Sequence, residues 1–161
     1  MYCITCWGNL KNKEINRLFK LQKRAIRHIN KAKYNSHTEP LFKKLKLIKL
    51  EQIYQINCSK LYLQNVHSHL PQYHQTQLLS NAHYHSYQTR NMENIHMLPI
   101  KLDIERQRLY EKIPKAWKYL PNGIQTSNAS IKTTIYNIRK HFIASYNDHC
   151  QLQNCYICQR V

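Results

Sequence analysis

Three kinds of side chain in this sequence could do chemistry: a repeating run of cations, spaced pairs of cysteines, and a crowd of histidines and tyrosines. Within Lys11 to Lys31, the residues Lys13, Arg17, Lys20, Arg24, Arg27 and Lys31 recur at steps of four and three. On an α-helix that spacing gathers all six into roughly 80° of the circumference. Glu14 is the one acid in the span, so pairing along the helix cannot absorb the charge. A polyanion relieves the mutual repulsion, and each neutralised phosphate releases condensed counterion. Such a stripe therefore suits RNA or DNA, bound without reading base sequence. A merely solvated helix face is the plainer alternative.

The cysteines Cys3-x-x-Cys6 and Cys155-x-x-Cys158 each have the gap with which two thiolates reach one tetrahedral zinc, and His149-Cys150 stands just upstream of the second pair. A site built from His149, Cys150, Cys155 and Cys158 would need adjacent residues as ligands, which is awkward geometry. No metal site is assigned. Cys58 lies in an apolar run and reads as a small core residue. The pairs His67-x-His69 and His83-x-His85 would share a face if extended, yet they have no carboxylate neighbour and read as solvated loop residues. Among the 12 tyrosines, Tyr34, Tyr84 and Tyr87 are candidates to stack on bases. Most of the tyrosines read as core or surface residues without a ligand.

Catalysis has little to stand on. Two-metal nucleotide chemistry gathers several carboxylates around its cations. Here the aspartates are Asp103 and Asp148 alone, and no two of the eight acids are adjacent. A Gly-rich phosphate loop, a G-x-S-x-G elbow and an H-E-x-x-H helix are all missing from the sequence. The expectation is a protein that is not an enzyme and takes no cofactor. No apolar run approaches the roughly 18 residues of a membrane span, and Met1 to Lys13 lack a secretory pattern. An intracellular protein with reduced thiols is expected.

The elements that must position these residues follow from length, charge and periodicity. The 161 residues suit one modest domain, 42% hydrophobic, with 25 basic and 8 acidic residues giving a net charge of +17. By segment the net charge is +7 for residues 1–31, +4 for 32–70, zero for 71–100 and +6 for 101–161. Ile15, Leu18, Phe19, Leu21, Ala25, Ile26 and Ile29 occupy the arc opposite the cations, so the first helix is amphipathic, with its apolar arc toward the core. Ser36-His37-Thr38-Glu39-Pro40 reads as the start of a short helix through Leu41, Phe42 and Leu45. After a break at Leu47 to Lys49, residues Leu50 to Leu70 are apolar around most of the cylinder, which predicts a buried helix that Pro71 stops.

Residues 71–100 form a His-, Gln- and Tyr-rich connector without clear periodicity. Leu98 to Tyr110 reads as a short extended pair or irregular structure. Trp117, Leu120 and Pro121 make an apolar anchor before a turn at Asn122-Gly123. Ser127 or Ser130 then caps a final helix carrying Ile131, Ile135, Ile138 and Phe142. The fold class is mainly α, with three or four helices and long irregular connectors. Its regions are 1–70 with the basic helix, the 71–100 connector, 101–146 with the anchor and final helix, and a Cys-containing tail at 147–161.

As an ordered set, these residues resemble a known family. Tyr2-Cys3-Ile4 to Trp7-Gly8, and Leu18-Phe19-Lys20-Leu21-Gln22-Lys23-Arg24-Ala25-Ile26-Arg27, are similar to the segment downstream of the polymerase domain in non-LTR, jockey- or LINE-type retrotransposon reverse transcriptases. His37-Thr38 with Pro40-Leu41-Phe42, Leu70-Pro71 and His85-Ser86-Tyr87-Gln88-Thr89-Arg90 follow in the same order. Arg108, Tyr110, Pro114, Trp117 and Leu120-Pro121 complete the set. The family's Gly-Pro is Ile113-Pro114 here, and its Trp-Asn is Trp117-Lys118. The resemblance implies an incomplete module, without the polymerase fingers, palm and catalytic aspartates, and a nuclear setting. It also implies a non-catalytic remnant that binds RNA or DNA through Lys13, Arg17, Lys20, Arg24, Arg27 and Lys31. The alternative is a structural or protein-interaction module docking an acidic partner.

Overall fold

A computed structural model describes residues 3–8, 12–97, 108–127 and 129–148. Among them the chain is mainly helical: α1 (Ile4–Trp7), α2 (Asn12–Ile29), α3 (Glu39–Lys44), α4 (Leu50–Val66), α5 (Gln72–Thr76), α6 (Asn81–Tyr84), α7 (Leu109–Lys118), α8 (Asn122–Gln125) and α9 (Ile131–Ala144). The one extended pairing among the described residues is an isolated antiparallel bridge between Ser80 and Ile95. Four helices, α2, α4, α7 and α9, have ten or more residues. The others are short turns of helix inside the connectors.

The nearly all-round apolar helix is the central one. Along α4, Leu50, Tyr54 and Cys58 pack with Ile4 of α1 and Ile113 of α7, while Ile56 and Leu63 pack with Trp117, Leu120 and Ile138. Trp117 stacks on Tyr62 with ring centroids 4.7 Å apart, so Trp117 and Leu120 are the core anchor, while Pro121, expected with them, is exposed. A third cluster joins Ile26 of α2, Phe42 of α3 and Tyr146 beyond α9. Phe42 and Ile138 are wholly buried, each contributing about 1.5–3 kcal/mol through removal from water. Buried hydroxyls are satisfied locally: Ser59 Oγ donates to Gln55 O at 2.9 Å, and Thr134 Oγ1 to Ser130 O at 3.1 Å. Ser130 caps α9, its Oγ accepting from Thr133 N at 3.3 Å.

Three differences from the sequence-based expectations concern the connectors. Leu109–Lys118 is a helix with Pro114 inside it, so that proline withholds an N–H from the ladder and the helix persists through Ile113 and Trp117 in the core. The expected turn at Asn122-Gly123 is the first turn of α8. Segment 71–97, expected as an ordered or partly disordered long loop, contains the short helices α5 and α6: Leu78 and Ile95 enter the core beside α4, and His96 N donates to Leu79 O at 2.8 Å. Residues 98–107, His149, Cys150, Cys155 and Cys158 lie outside the described residues.

Glycine is scarce, with only Gly8 and Gly123, and this marks how the helices end. After α2, Ala32 N donates to Arg27 O and Lys31 N to His28 O, with Lys31 at φ 51°. After α3, Leu47 N donates to Phe42 O and Lys46 N to Lys43 O, with Lys46 at φ 51°. After α4, His69 N donates to Gln64 O and Ser68 N to Asn65 O, with Ser68 at φ 54°. Each is a Schellman closure whose left-handed residue is ordinarily glycine. Gly8 serves a different need, because a Cβ there would lie 2.5 Å from the Tyr54 ring.

Candidate nucleic-acid interface

Side chains of α2 sort into three faces rather than two. The packed face carries Ile26, buried to 2% exposure, with Ile15 and Phe19 partly covered. Gln22 clasps this face to α4: its Nε2 donates to Ile48 O at 2.9 Å, and its Oε1 accepts from Leu50 N at 3.0 Å. That second bond satisfies one of the free N–H groups at the start of α4. Helix and core are thus locked at a fixed rotation, and this rotation decides what faces water.

The cationic face points outward. Lys13, Arg17, Lys20 and Arg24 are exposed on successive turns, and the helical rise spreads them over about 16 Å. Arg17 Nη1 lies 3.3 Å from Glu14 Oε2, in a pair whose side chains are 67% and 48% exposed. Such an exposed pair is weak and leaves Arg17 available to a stronger anion. Arg27 is half-buried and donates Nε to Ser36 O at 2.9 Å. Lys31 is exposed but stands two residues past the end of α2. The six predicted residues therefore divide into four on the open helix face, one anchored at its edge and one on the closing turn.

Among the described residues, no carboxylate from another element pairs with this face. Among the described residues, Glu39 pairs with Lys49, Asp148 with Lys43 at 2.6 Å, and Glu111 with Lys115 at 3.8 Å. The side chains of Lys13, Lys20, Arg24 and Lys31 form no hydrogen bond or ion pair among those residues. Lys23 lies nearer the core, with its ammonium 4.4 Å from the Phe19 ring centroid. Burial lowers its pKa first, Arg27 and Lys49 lower it further, and Glu39 opposes them.

The third face shows that only part of the apolar arc expected to face the core does so. Leu18, Leu21 and Ile29 are 40%, 56% and 65% exposed, and Ala25 between them is also exposed. The packed elements cover only the side of the arc that holds Ile15, Phe19, Gln22 and Ile26. A uncovered apolar ridge consequently runs beside the cations.

Compared with known proteins, the chain matches no family model, no curated protein and no solved structure. Cys3 and Cys6 are exposed free thiols, and Cys58 is buried. Among the described residues no group of three or more His, Cys, Asp or Glu side chains is placed to hold a metal ion. No helix among them is long and apolar enough to cross a membrane.

Periodicity gave no hint that the histidines of the connector would meet. His96 stacks on Tyr84 at 4.2 Å between centroids, His85 lies 5.9 Å from His96, and Tyr87 lies 5.2 Å from His85. Asn81 holds the cluster: its Nδ2 donates to Asn91 O at 2.8 Å, which leaves Oδ1 to accept from His96 Nδ1 at 2.9 Å. His67 and His69 also stack, at 6.0 Å. Arg90 and Glu93 are the only formal charges in residues 71–100, so this surface lacks the cationic surplus of α2.

Proposed function

We propose that this chain is a non-catalytic, nucleic-acid-binding module resembling the C-terminal part of a non-LTR retrotransposon reverse transcriptase, downstream of the polymerase domain. RNA or DNA lies along α2, held through phosphates by Lys13, Arg17, Lys20 and Arg24, with Arg27 and Lys31 at the far end. One observation supports this above the rest: among the described residues Lys13, Lys20 and Arg24 on the outward face of α2 have no carboxylate partner and Arg17 has only the exposed Glu14, while Glu39, Glu111 and Asp148 each pair with a lysine elsewhere. Contacts to phosphate carry no base information directly, so binding through them is non-specific in sequence.

With four phosphate contacts on duplex DNA, log K falls against log salt with a slope of about −3.6, from roughly 0.9 per contact. Fluorescence anisotropy with a labelled duplex at several salt concentrations measures it. A slope near zero would contradict the reading. A second reading, docking of an acidic protein, is favoured by the exposed ridge of Leu18, Leu21, Ala25 and Ile29 beside the cations. Leu21→Ser with Ile29→Ser separates the two: nucleic-acid affinity is unchanged if phosphates are the ligand.

A further inference from the structure

The turn that closes α2 forms a groove of about 280 Å³, lined by Arg24, Arg27, His28, Ala32 and Tyr34. Its geometry is fixed from both sides. The Schellman bonds turn the backbone sharply at Lys31, and Ser36 N donates to Lys33 O at 3.0 Å. Arg27 then ties the returning chain to the helix through Nε and Ser36 O, which leaves its two Nη groups as donors. Arg24 has no partner among the described residues, and no acid lines the groove. Tyr34 is 78% exposed, and no other ring stacks on it among those residues.

Two guanidiniums beside a free aromatic face match the two halves of a nucleotide. A guanidinium fork meets phosphate oxygens in a planar, bidentate fashion that a lysine ammonium cannot reproduce. A phenol ring with open faces stacks on a base of any identity. The groove falls just under the usual range of small-ligand pockets, roughly 300–1,000 Å³, which suits one nucleotide unit. Bases within a duplex are already stacked, and unstacking one costs a few kcal/mol, so a duplex cannot use the ring without that penalty.

We infer that the α2 closing turn is a seat for one unpaired nucleotide, Tyr34 stacking on its base and Arg24 and Arg27 holding its phosphate, so that single strands bind in preference to duplex. This rests on the nucleic-acid reading above and adds a selectivity which the stripe alone does not provide.

The test compares a single-stranded DNA containing 2-aminopurine with a duplex of the same length, using the full chain and its Tyr34→Ala and Tyr34→Phe variants. Stacking on the ring quenches 2-aminopurine, and the single strand binds about 10-fold more tightly than the duplex. Tyr34→Phe keeps both effects. Tyr34→Ala removes both, while helicity and duplex affinity stay as in the parent. Unchanged quenching and an unchanged single-strand preference in Tyr34→Ala would overturn the seat while leaving the stripe standing. Binding of neither DNA, with a flat salt response, would overturn both.

Discussion

Cys58 and Glu39 show how far the surroundings of a residue redirect its chemistry. Burial against Tyr54 in the core pushes the Cys58 thiol up to about 11, only partly offset by the neighbouring Tyr54 hydroxyl and Lys112. A thiol held neutral and covered is a poor nucleophile. Iodoacetamide at pH 8 is therefore expected to alkylate Cys3 and Cys6 while sparing Cys58 until denaturant is added, as read by peptide mass mapping. Labelling of native Cys58 as fast as Cys3 would contradict its placement. Glu39 shifts the other way. Contact with the Lys49 ammonium, helped by a 3.1 Å bond from Asn147 Nδ2, holds its carboxyl below the ordinary 4.5 against the opposing effect of partial burial. A depressed folded pKa means that the stabilisation is present above the unfolded value and disappears as pH falls through the folded one. The stability gap between the parent and Glu39→Gln should thus be open at pH 6 and close as pH drops below 4.5, measured by urea unfolding at each pH. An equal gap at pH 6 and pH 3 would refute the pairing.

Among the elements, what the sequence disclosed depended on whether a pattern was local. The cation and apolar steps in α2, the apolar sweep of α4 and the Ile131, Ile135, Ile138 and Phe142 run in α9 repeat over several turns, so their helices are legible. Pro114 obscured α7, because a proline in mid-segment argues against helix although packing of Ile113 and Trp117 against the core outweighs the missing hydrogen bond. The exposure of Leu18, Leu21, Ala25 and Ile29 was illegible for another reason: apolar periodicity reports which residues can be buried, not how wide a neighbour covers them. The site residues were legible as a stripe. Grouping Tyr34 with Arg24 and Arg27 required the turn at Lys31, where no glycine announced a left-handed residue. The same scarcity yields a prediction. Lys46 occupies the left-handed position of the α3 closure, which costs a non-glycine residue roughly 1–2 kcal/mol. Lys46→Gly should stabilise the fold by about 1 kcal/mol, seen as a higher denaturation midpoint with unchanged nucleic-acid affinity. A lower midpoint would contradict that closure.

Across the whole molecule, the proposed function rests on where the uncompensated charge sits. Net charge of +17 alone would draw any polyanion to the surface in a diffuse way. The fold sharpens this by engaging Glu39, Glu111 and Asp148 with lysines of α3, the α4 entry and α7, rather than with the outward cations of α2. The spacing of the cations gathers them on one face of α2, and Gln22 fixes the rotation that points this face away from the core. Localised binding and diffuse attraction make different predictions for charge changes of equal size. The decisive measurement is the salt dependence of duplex affinity for the parent, for Lys20→Gln with Arg24→Gln, and for Lys132→Gln with Arg139→Gln on the exposed surface of α9. The α2 pair should reduce the slope by about 1.8, two contacts' worth, and the α9 pair should leave it near the parental value. Equal reductions from the two pairs would contradict an interface on α2.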